Sequence, residues 1–283
     1  MTQTAFKHVL LMGRDQVPGV PETLRALEDF LLSLNVTVTN HGSPDGNIKP
    51  FPSSVDLIIV VGGDGSLINA AHIAVEHDLP VIGIHRGRLG FLTDIHPQHI
   101  DHLKDVINGI YREEKRFLLH ATIHQHDVIT DIALNDVVLT PNEAPQMVEF
   151  ETYINDEFVC RQRADGLIIA TPTGSTAYAL SAGGPILKPG LNAVTIVSMC
   201  PHTLSSRPIV VSNDSCIKLV ITHNNKNAVN ISCDGITRLP VAPGSHIIIE
   251  RYSKQLRLIH PVNYNYFTTL REKLNWEKHA ERT

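Results

Sequence analysis

Two glycine-rich loops carry the residues in this chain best suited to chemistry. The first is Gly62-Gly63-Asp64-Gly65, which follows the apolar run 57–61 (LIIVV) and precedes a helix-like segment. A helix starting at such a loop points unpaired backbone N–H groups and a positive dipole at whatever sits there. Glycines let the backbone approach a phosphate closely, because no Cβ intervenes. Asp64 needs its own explanation, since a carboxylate is repelled by a phosphate. Two tasks call for an acid in such a place: holding a divalent cation, or accepting the proton of an attacking hydroxyl. A carboxyl group, with an ordinary pKa of about 3.9, cannot deprotonate a sugar alcohol beforehand, but it can orient the nucleophile and take the proton late. A turn or capping role also suits an aspartate here, and Ser66 is placed to cap the helix. No Gly-Lys-Ser/Thr follows, so this is not a Walker motif, and the third glycine of a dinucleotide fingerprint is missing.

The second loop lies in residues 165–187, DGLIIATPTGSTAYALSAGGPIL. An apolar strand again leads into a Thr/Gly/Ser loop and a short helix expected near Ser175, stopped by Gly183-Gly184 and Pro185. Hydroxyls and N–H groups crowded at a helix start suit ribose and phosphate. Tyr178 offers a flat surface and one polar handle, suiting an adenine or nicotinamide ring. A structural Ser/Thr turn is the plainer reading of this loop alone, but two strand–glycine–helix loops in one chain weigh against it. His96, His99 and His102 recur at helical spacing. No acidic or cysteine partner completes a metal set around them, so a solvated helix face is expected.

The elements that must position these loops change character along the chain. Residues 8–12, 36–39, 56–61 and 80–84 read as strands, and 21–34, 66–77 and 97–110 as helices, with Pro21 in a first turn. Strands alternating with helices imply a parallel, Rossmann-like sheet covered on both faces. From about residue 116 the helices vanish. Runs 117–124, 129–139, 149–154, 157–160, 193–199, 208–211, 216–222, 228–232, 246–250 and 256–259 read as short strands, implying a mostly antiparallel sandwich or layered sheet. The segment 266–278, which holds Trp276, returns to helical character and is expected to pack back on the first part. The expected division is an α/β domain over 1–115, joined by the helix 266–283, and a β-rich domain over 116–265.

Bulk properties narrow the class. The 283 residues are 42% hydrophobic and 19% charged, enough for a sizeable core. A net charge of -5 argues against a nucleic-acid partner, and no apolar run reaches the roughly 20 residues that span a bilayer, so no membrane partner is expected. Residues 1–7 are too polar for a secretory signal. Cys160, Cys200, Cys216 and Cys233 are widely spaced and form no Cys-x-x-Cys pair, which fits reduced, buried thiols in a cytoplasmic protein.

A GGDG loop by itself resembles those of phosphofructokinases, diacylglycerol and sphingoid kinases, and NAD kinases. The full set of motifs closely resembles the NAD kinases, the bacterial ones in particular, over nearly the whole chain. That set comprises GGDG (62–65), GRLGFLTD (87–94), ALNDVVL (133–139), TPTGSTAYALSAGGPI (171–186), CPHTLSSRPIV (200–210) and ISCDG (231–235). The resemblance implies that ATP and NAD are substrates and a divalent cation, magnesium, is a cofactor. It implies that Asp64 acts on the 2′-hydroxyl of the adenosine ribose of NAD, with Gly65 beside it, and that Asn135 and Asp136 contact the adenosine moiety. Thr176, Ala177, Tyr178 and Ser181 would line the adenine pocket. Arg163 and Asp165 would meet the nicotinamide end, where a neighbouring subunit of a homodimer or homotetramer can contribute. No residue is implied as a resident metal ligand. The chain departs from the family pattern in having Asn-Asp where many relatives have Asn-Glu, in Gln146, and in Ile236; Asp234 carries no assigned role. A lipid or sugar kinase would need a different second motif, and a non-catalytic NAD(P)-sensing module could dispense with Asp64.

Overall fold

A computed structural model describes residues 4–43, 51–87, 89–143 and 146–276. Arg88 of the GRLGFLTD stretch, residues 1–3 and the helix expected beyond 276 lie outside the described residues. The chain forms two compact units, Met1–Lys115 with Leu256–Thr283, and Arg116–Gln255. Residues 256–265, grouped with the β-rich part on strand spacing, therefore fall with the first unit.

In the first unit, strands β1 (His8–Gly13), β2 (Thr37–Gly42), β3 (Leu57–Gly62) and β4 (Pro80–His85) form a parallel sheet in the order β2-β1-β3-β4. All six residues of β3 are buried, which explains why the run is apolar throughout rather than alternating. Helix α1 (Val20–Ser33) has Pro21 in its first turn and presents Val20, Leu24, Leu27 and Leu31 to Val9, Leu11, Leu57, Ile59 and Val61. Helix α2 (Asp64–His77) begins two residues earlier than its sequence pattern predicts. Gly63 is its N-cap, and Ser66 lies buried in its first turn instead of capping it. The helix expected over 97–110 is broken. A 3₁₀ turn at Pro97–His102 meets the short α3 (Leu103–Ile107), with His99 off helical geometry (φ -122°, ψ 36°).

Strand β5 (Arg112–His124) leads into the second unit. There β6 (Val128–Ala133) pairs with β5, and β7 (Asp136–Pro141), β8 (Val148–Ile154), β9 (Glu157–Ala164) and β10 (Gly166–Ala170) follow. A 3₁₀ turn at Gly174–Thr176 and the four-residue α4 (Tyr178–Ser181) replace the helix expected from Ser175. Then come β11 (Ala193–Met199), β12 (Ile209–Ser212), β13 (Ile217–Ile221), β14 (Val229–Cys233) and β15 (Leu239–Val241). The runs 246–250 and 256–259 prove to be parts of one long strand, β16 (His246–His260). It begins against β13 in the second unit, and Arg257 and Leu258 pair with Pro80 and Val81 in the first. The closing helix α5 (Tyr266–Leu274) belongs to the first unit, where it buries Tyr266, Thr269 and Leu270 and leaves Trp276 exposed.

One antiparallel sheet of the second unit runs β12-β11-β10-β7-β14-β15. Alternate residues on its strands face different cores. Val137, Leu139, Leu167 and Ile169 pack with Phe150, Leu219 and Ile247 of the opposing strands, making a sandwich. Val138, Ile168 and Ala170 pack on the other face with Ala179. All four cysteines are free, but only Cys233 is buried; Cys160 on β9 and Cys216 before β13 are partly exposed, and Cys200 after β11 is exposed. Burial, with Asp131 and Asp234 nearby, pushes the Cys233 thiol up, so it is an inert thiol. Among the described residues, no helix is long and apolar enough to cross a membrane.

Ile59 is fully buried in the first core. Ile59→Ala should lower the free energy of unfolding by about 2–5 kcal/mol, read as a lower urea midpoint.

Candidate active site

Among the described strands of the first unit, a topological switch point lies between β1 and β3, where the chain changes direction across the sheet. Ligands of open α/β sheets bind outside the carboxyl ends of the strands at such a point. A cavity of about 210 Å³ lies there, lined by Arg14 and Val17 after β1, Gly62, Gly63, Gly65 and Ser66 at the β3–α2 turn, and Arg86 after β4. Arg86 is fixed by its Nε, which donates to the Gly19 carbonyl at 3.0 Å, and by its own N–H to Gly62 at 3.1 Å. Two arginines, a glycine turn and a helix N-terminus are groups suited to phosphate oxygens.

Asp64, the first residue of α2, is half-buried. Its side chain makes no cap bond to the helix. It reaches residues 91 and 92 instead: the Phe91 N–H donates to Oδ2 at 2.9 Å and the Leu92 N–H to Oδ1 at 3.0 Å. Each oxygen keeps a further lone pair for a ligand, while the plane of the carboxylate is set. Phe91 and Leu92, recognised in the sequence only as part of a motif, thus hold Asp64. Gly90 has to be small for the same reason, since a Cβ there would stand 2.0 Å from Asp64 Oδ1.

The second unit repeats the device with roles reversed. Asp234 has a left-handed backbone (φ 54°) and accepts from three consecutive amides: Leu134 at 2.8 Å through Oδ2, and Asn135 at 2.7 Å and Asp136 at 3.2 Å through Oδ1. It is a positioning residue that sequence reasoning left without a role. The Asp-Gly pair ending ISCDG was the available signal, since aspartate tolerates left-handed turns. From the other side, Thr171 donates its hydroxyl to Leu134 O at 2.6 Å and its N–H to Asn135 O at 2.9 Å. Gly174 closes over them, and a Cβ there would come within 2.1 Å of Asn135 O. The second glycine loop therefore clamps the Asn135-Asp136 pair.

A pocket of about 460 Å³ opens beside this clamp, lined by Asn135, Asp136, Ala177, Tyr178, Asp234 and Ile236 among others. The Tyr178 ring is half exposed on its wall. Of the residues the sequence proposed, Asn135, Asp136, Ala177 and Tyr178 meet here. Thr176 turns its hydroxyl to Thr173 O at 3.2 Å, and Ser181 is exposed on α4; neither lines the pocket. Arg163 and Asp165 are exposed at the β9–β10 junction, and Arg163 lines a different cavity of about 690 Å³ with Gln146, Glu149 and Lys226. Ile236, left out of the proposed site, lines the pocket. Gly65 and Asp64 belong to the first unit. An acidic partner for the histidines does exist: ligand atoms of His99, Asp101 and His102, all exposed, lie within 4.8 Å of one another, because a 3₁₀ turn brings residues three apart into line.

A glycine turn opening a helix at the end of a parallel strand, and a pocket with an exposed tyrosine ring on a β-sandwich, have the features a nucleotide-using enzyme needs. Comparison with known proteins sharpens this. Residues 22–114 match the family model for the ATP-NAD kinase N-terminal domain, and 134–261 that for the C-terminal domain. The NAD kinase of Coxiella burnetii is 54% identical, over 99% of this chain and 98% of its own. That of Photobacterium profundum is 46% identical over 96% and 97%. The structure of yeast NADH kinase complexed with NADH superposes with a TM-score of 0.86 at 25% identity, covering 98% of this chain and 90% of that one. An Archaeoglobus fulgidus NAD kinase in complex with ATP gives 0.77 at 25% identity, over 94% and 99%. This chain belongs to the NAD kinase family, and it is a kinase.

Asp136 is buried, and desolvation together with the charge of Asp234 pushes its carboxyl up to about 7. The folded state therefore holds a proton that the unfolded chain releases near pH 4, and the resulting stability is present at low pH and lost as pH rises from about 4 to about 7. Asp136→Asn should remove this dependence. Thermal melts of the two proteins should diverge in favour of the variant across that window, by up to about 1.4 kcal/mol per pH unit.

Proposed function

We propose that this chain transfers the γ-phosphoryl group of ATP to the 2′-hydroxyl of the adenosine ribose of NAD, giving NADP and ADP. The observation that carries the reading is Asp64, an acid set in a phosphate-binding turn with its carboxylate plane fixed by two amides. In this reading Asp64 orients the hydroxyl and accepts its proton as the new O–P bond forms and the bond to the β-phosphate oxygen breaks. Gly65 leaves the backbone open beside it. Arg14 and Arg86 favour the triphosphate by charge.

The β-rich unit, in our reading, is the NAD-binding domain. Asn135 is a neutral donor and acceptor for an adenine edge or ribose hydroxyl. Asp136, titrating near neutrality, is able to donate as well as accept. Tyr178 supplies a face for the ring, with Ala177 leaving space against it, and Thr176 and Ser181 shape that segment. We assign Arg163 and Asp165 to the nicotinamide end. A divalent cation, magnesium, fits the hard oxygen chemistry here, since it needs one or two carboxylates besides phosphates and water, and Asp64 has acceptor sites left. When bound, it neutralises charge on the transferring phosphoryl group. We place the enzyme in the cytoplasm, which its four free cysteines support, and as a homodimer or homotetramer, which exposed Phe158 on β9 and Val210 on β12 support.

Purified protein with NAD, ATP and magnesium should form NADP; NAD binding without NADP would favour a sensing module instead. Asp64→Asn keeps the shape and removes the charge. Its turnover should fall by roughly 10²-fold or more with modest change in NAD affinity, and near-normal turnover would reduce Asp64 to a turn residue.

A further inference from the structure

The loop that presents its amides to Asp64 is itself tied down at both ends of its working part. At one end is Asp94. His260, the last residue of β16 and fully buried, bonds Asp94 Oδ2 through Nδ1. Its other nitrogen stands 3.8 Å from Glu114 Oε2. The Tyr264 ring stacks on the imidazole with centroids 3.9 Å apart and planes within 8°. Sequestering an imidazole and a carboxylate from water is costly, and a leucine of similar volume would fill a core position without that cost. Something other than packing accounts for the pair.

At the other end is Phe91. Its ring meets Tyr266 at 6.5 Å, and Lys273 Nζ lies 5.5 Å from its centroid, both on α5. Between these ties Thr93 is fully buried, its Cγ2 so close to Gly83 that a Cβ there would stand 2.6 Å away. Residues 91 and 94, on either side of the Leu92 amide, are thus both held by the last part of the chain. All of these contacts lie within the first unit.

We propose that the segment from His260 to Lys273 is a brace that positions Asp64 through residues 91–94, and that His260 is its positioning residue. The proposal rests on the reading of Asp64 as the residue that acts on the substrate hydroxyl. The Phe91 and Leu92 amides decide where the carboxylate oxygens stand, and a misplacement of about 1 Å in a positioned group costs on the order of 10²-fold in rate. A buried polar tie is directional where an apolar contact is not, so it fixes the loop to one place rather than merely covering it.

The test is a kinetic cycle on the full chain. His260→Leu removes the tie, and His260→Asn keeps a nitrogen donor close to the place of Nδ1. His260→Leu should lower kcat by roughly 10-fold or more while KM for NAD and for ATP stays within about threefold, and His260→Asn should recover much of the loss. The double variant Asp64→Asn with His260→Leu should be no slower than Asp64→Asn alone, because two residues acting through one group are not additive. Losses that multiply would show that His260 does not work through Asp64, and would overturn the brace. Where His260→Leu shows no cooperative melt, Asp94→Asn, which keeps the shape, takes its place in the same cycle with the same two outcomes. Normal turnover in Asp64→Asn would overturn the underlying reading, and the brace with it. An inactive Asp64→Asn beside fully active His260→Leu and Asp94→Asn would overturn the brace alone.

Discussion

A carboxylate gripped by successive backbone amides is the interaction on which both candidate sites depend. Asp64 takes the N–H groups of Phe91 and Leu92, and Asp234 takes those of Leu134, Asn135 and Asp136. Bonds to an ionised acceptor are stronger than neutral ones, and two or three from adjacent peptides fix orientation as well as distance. In the first unit the acid is the group we propose to act on the substrate, and the loop is its holder. In the second the acid is the holder, and the pair it grips lines the pocket. Remove either carboxylate and the amides it satisfies are left without their partner in a half-buried place, at the cost of unmade hydrogen bonds.

The fold supports these grips at the ends of interior strands rather than within the sheets. β3 and β4 end beside each other, so the turn that starts α2 and the loop that follows β4 come together where the parallel strands stop. β7 starts and β10 ends beside each other in antiparallel pairing, so residues 134–136 and the 171–174 loop meet at one end of the second sheet. In each case strand pairing does the coarse placement, and a glycine too close for any Cβ, Gly90 or Gly174, allows the fine one. The price appears at Asp136, whose burial beside Asp234 raises its carboxyl to about 7 and leaves part of the stability of the second unit dependent on pH.

Much was legible in the sequence because it is written in periods and in local chemistry. The buried run 57–61 announced a central parallel strand, and alternating runs after residue 116 announced a sandwich, since side-chain direction repeats every two residues along any strand. Helix ends were less legible. α2 starts at Asp64 because Gly63, not Ser66, takes the cap, and the expected 97–110 helix breaks at His99. Histidines at spacing three proved to share a turn with Asp101, which spacing of histidines alone did not reveal.

By itself the sequence determined the family, the two glycine loops and the identity of the acid between them, because these depend on residue types at short spacing. Only the tertiary structure decided what holds that acid. Phe91 is 27 positions from Asp64, Asp234 is 99 from Asn135, and His260 is 166 from Asp94. No local pattern encodes such pairs, because residues this far apart in sequence are brought together only by the pairing and packing of whole elements.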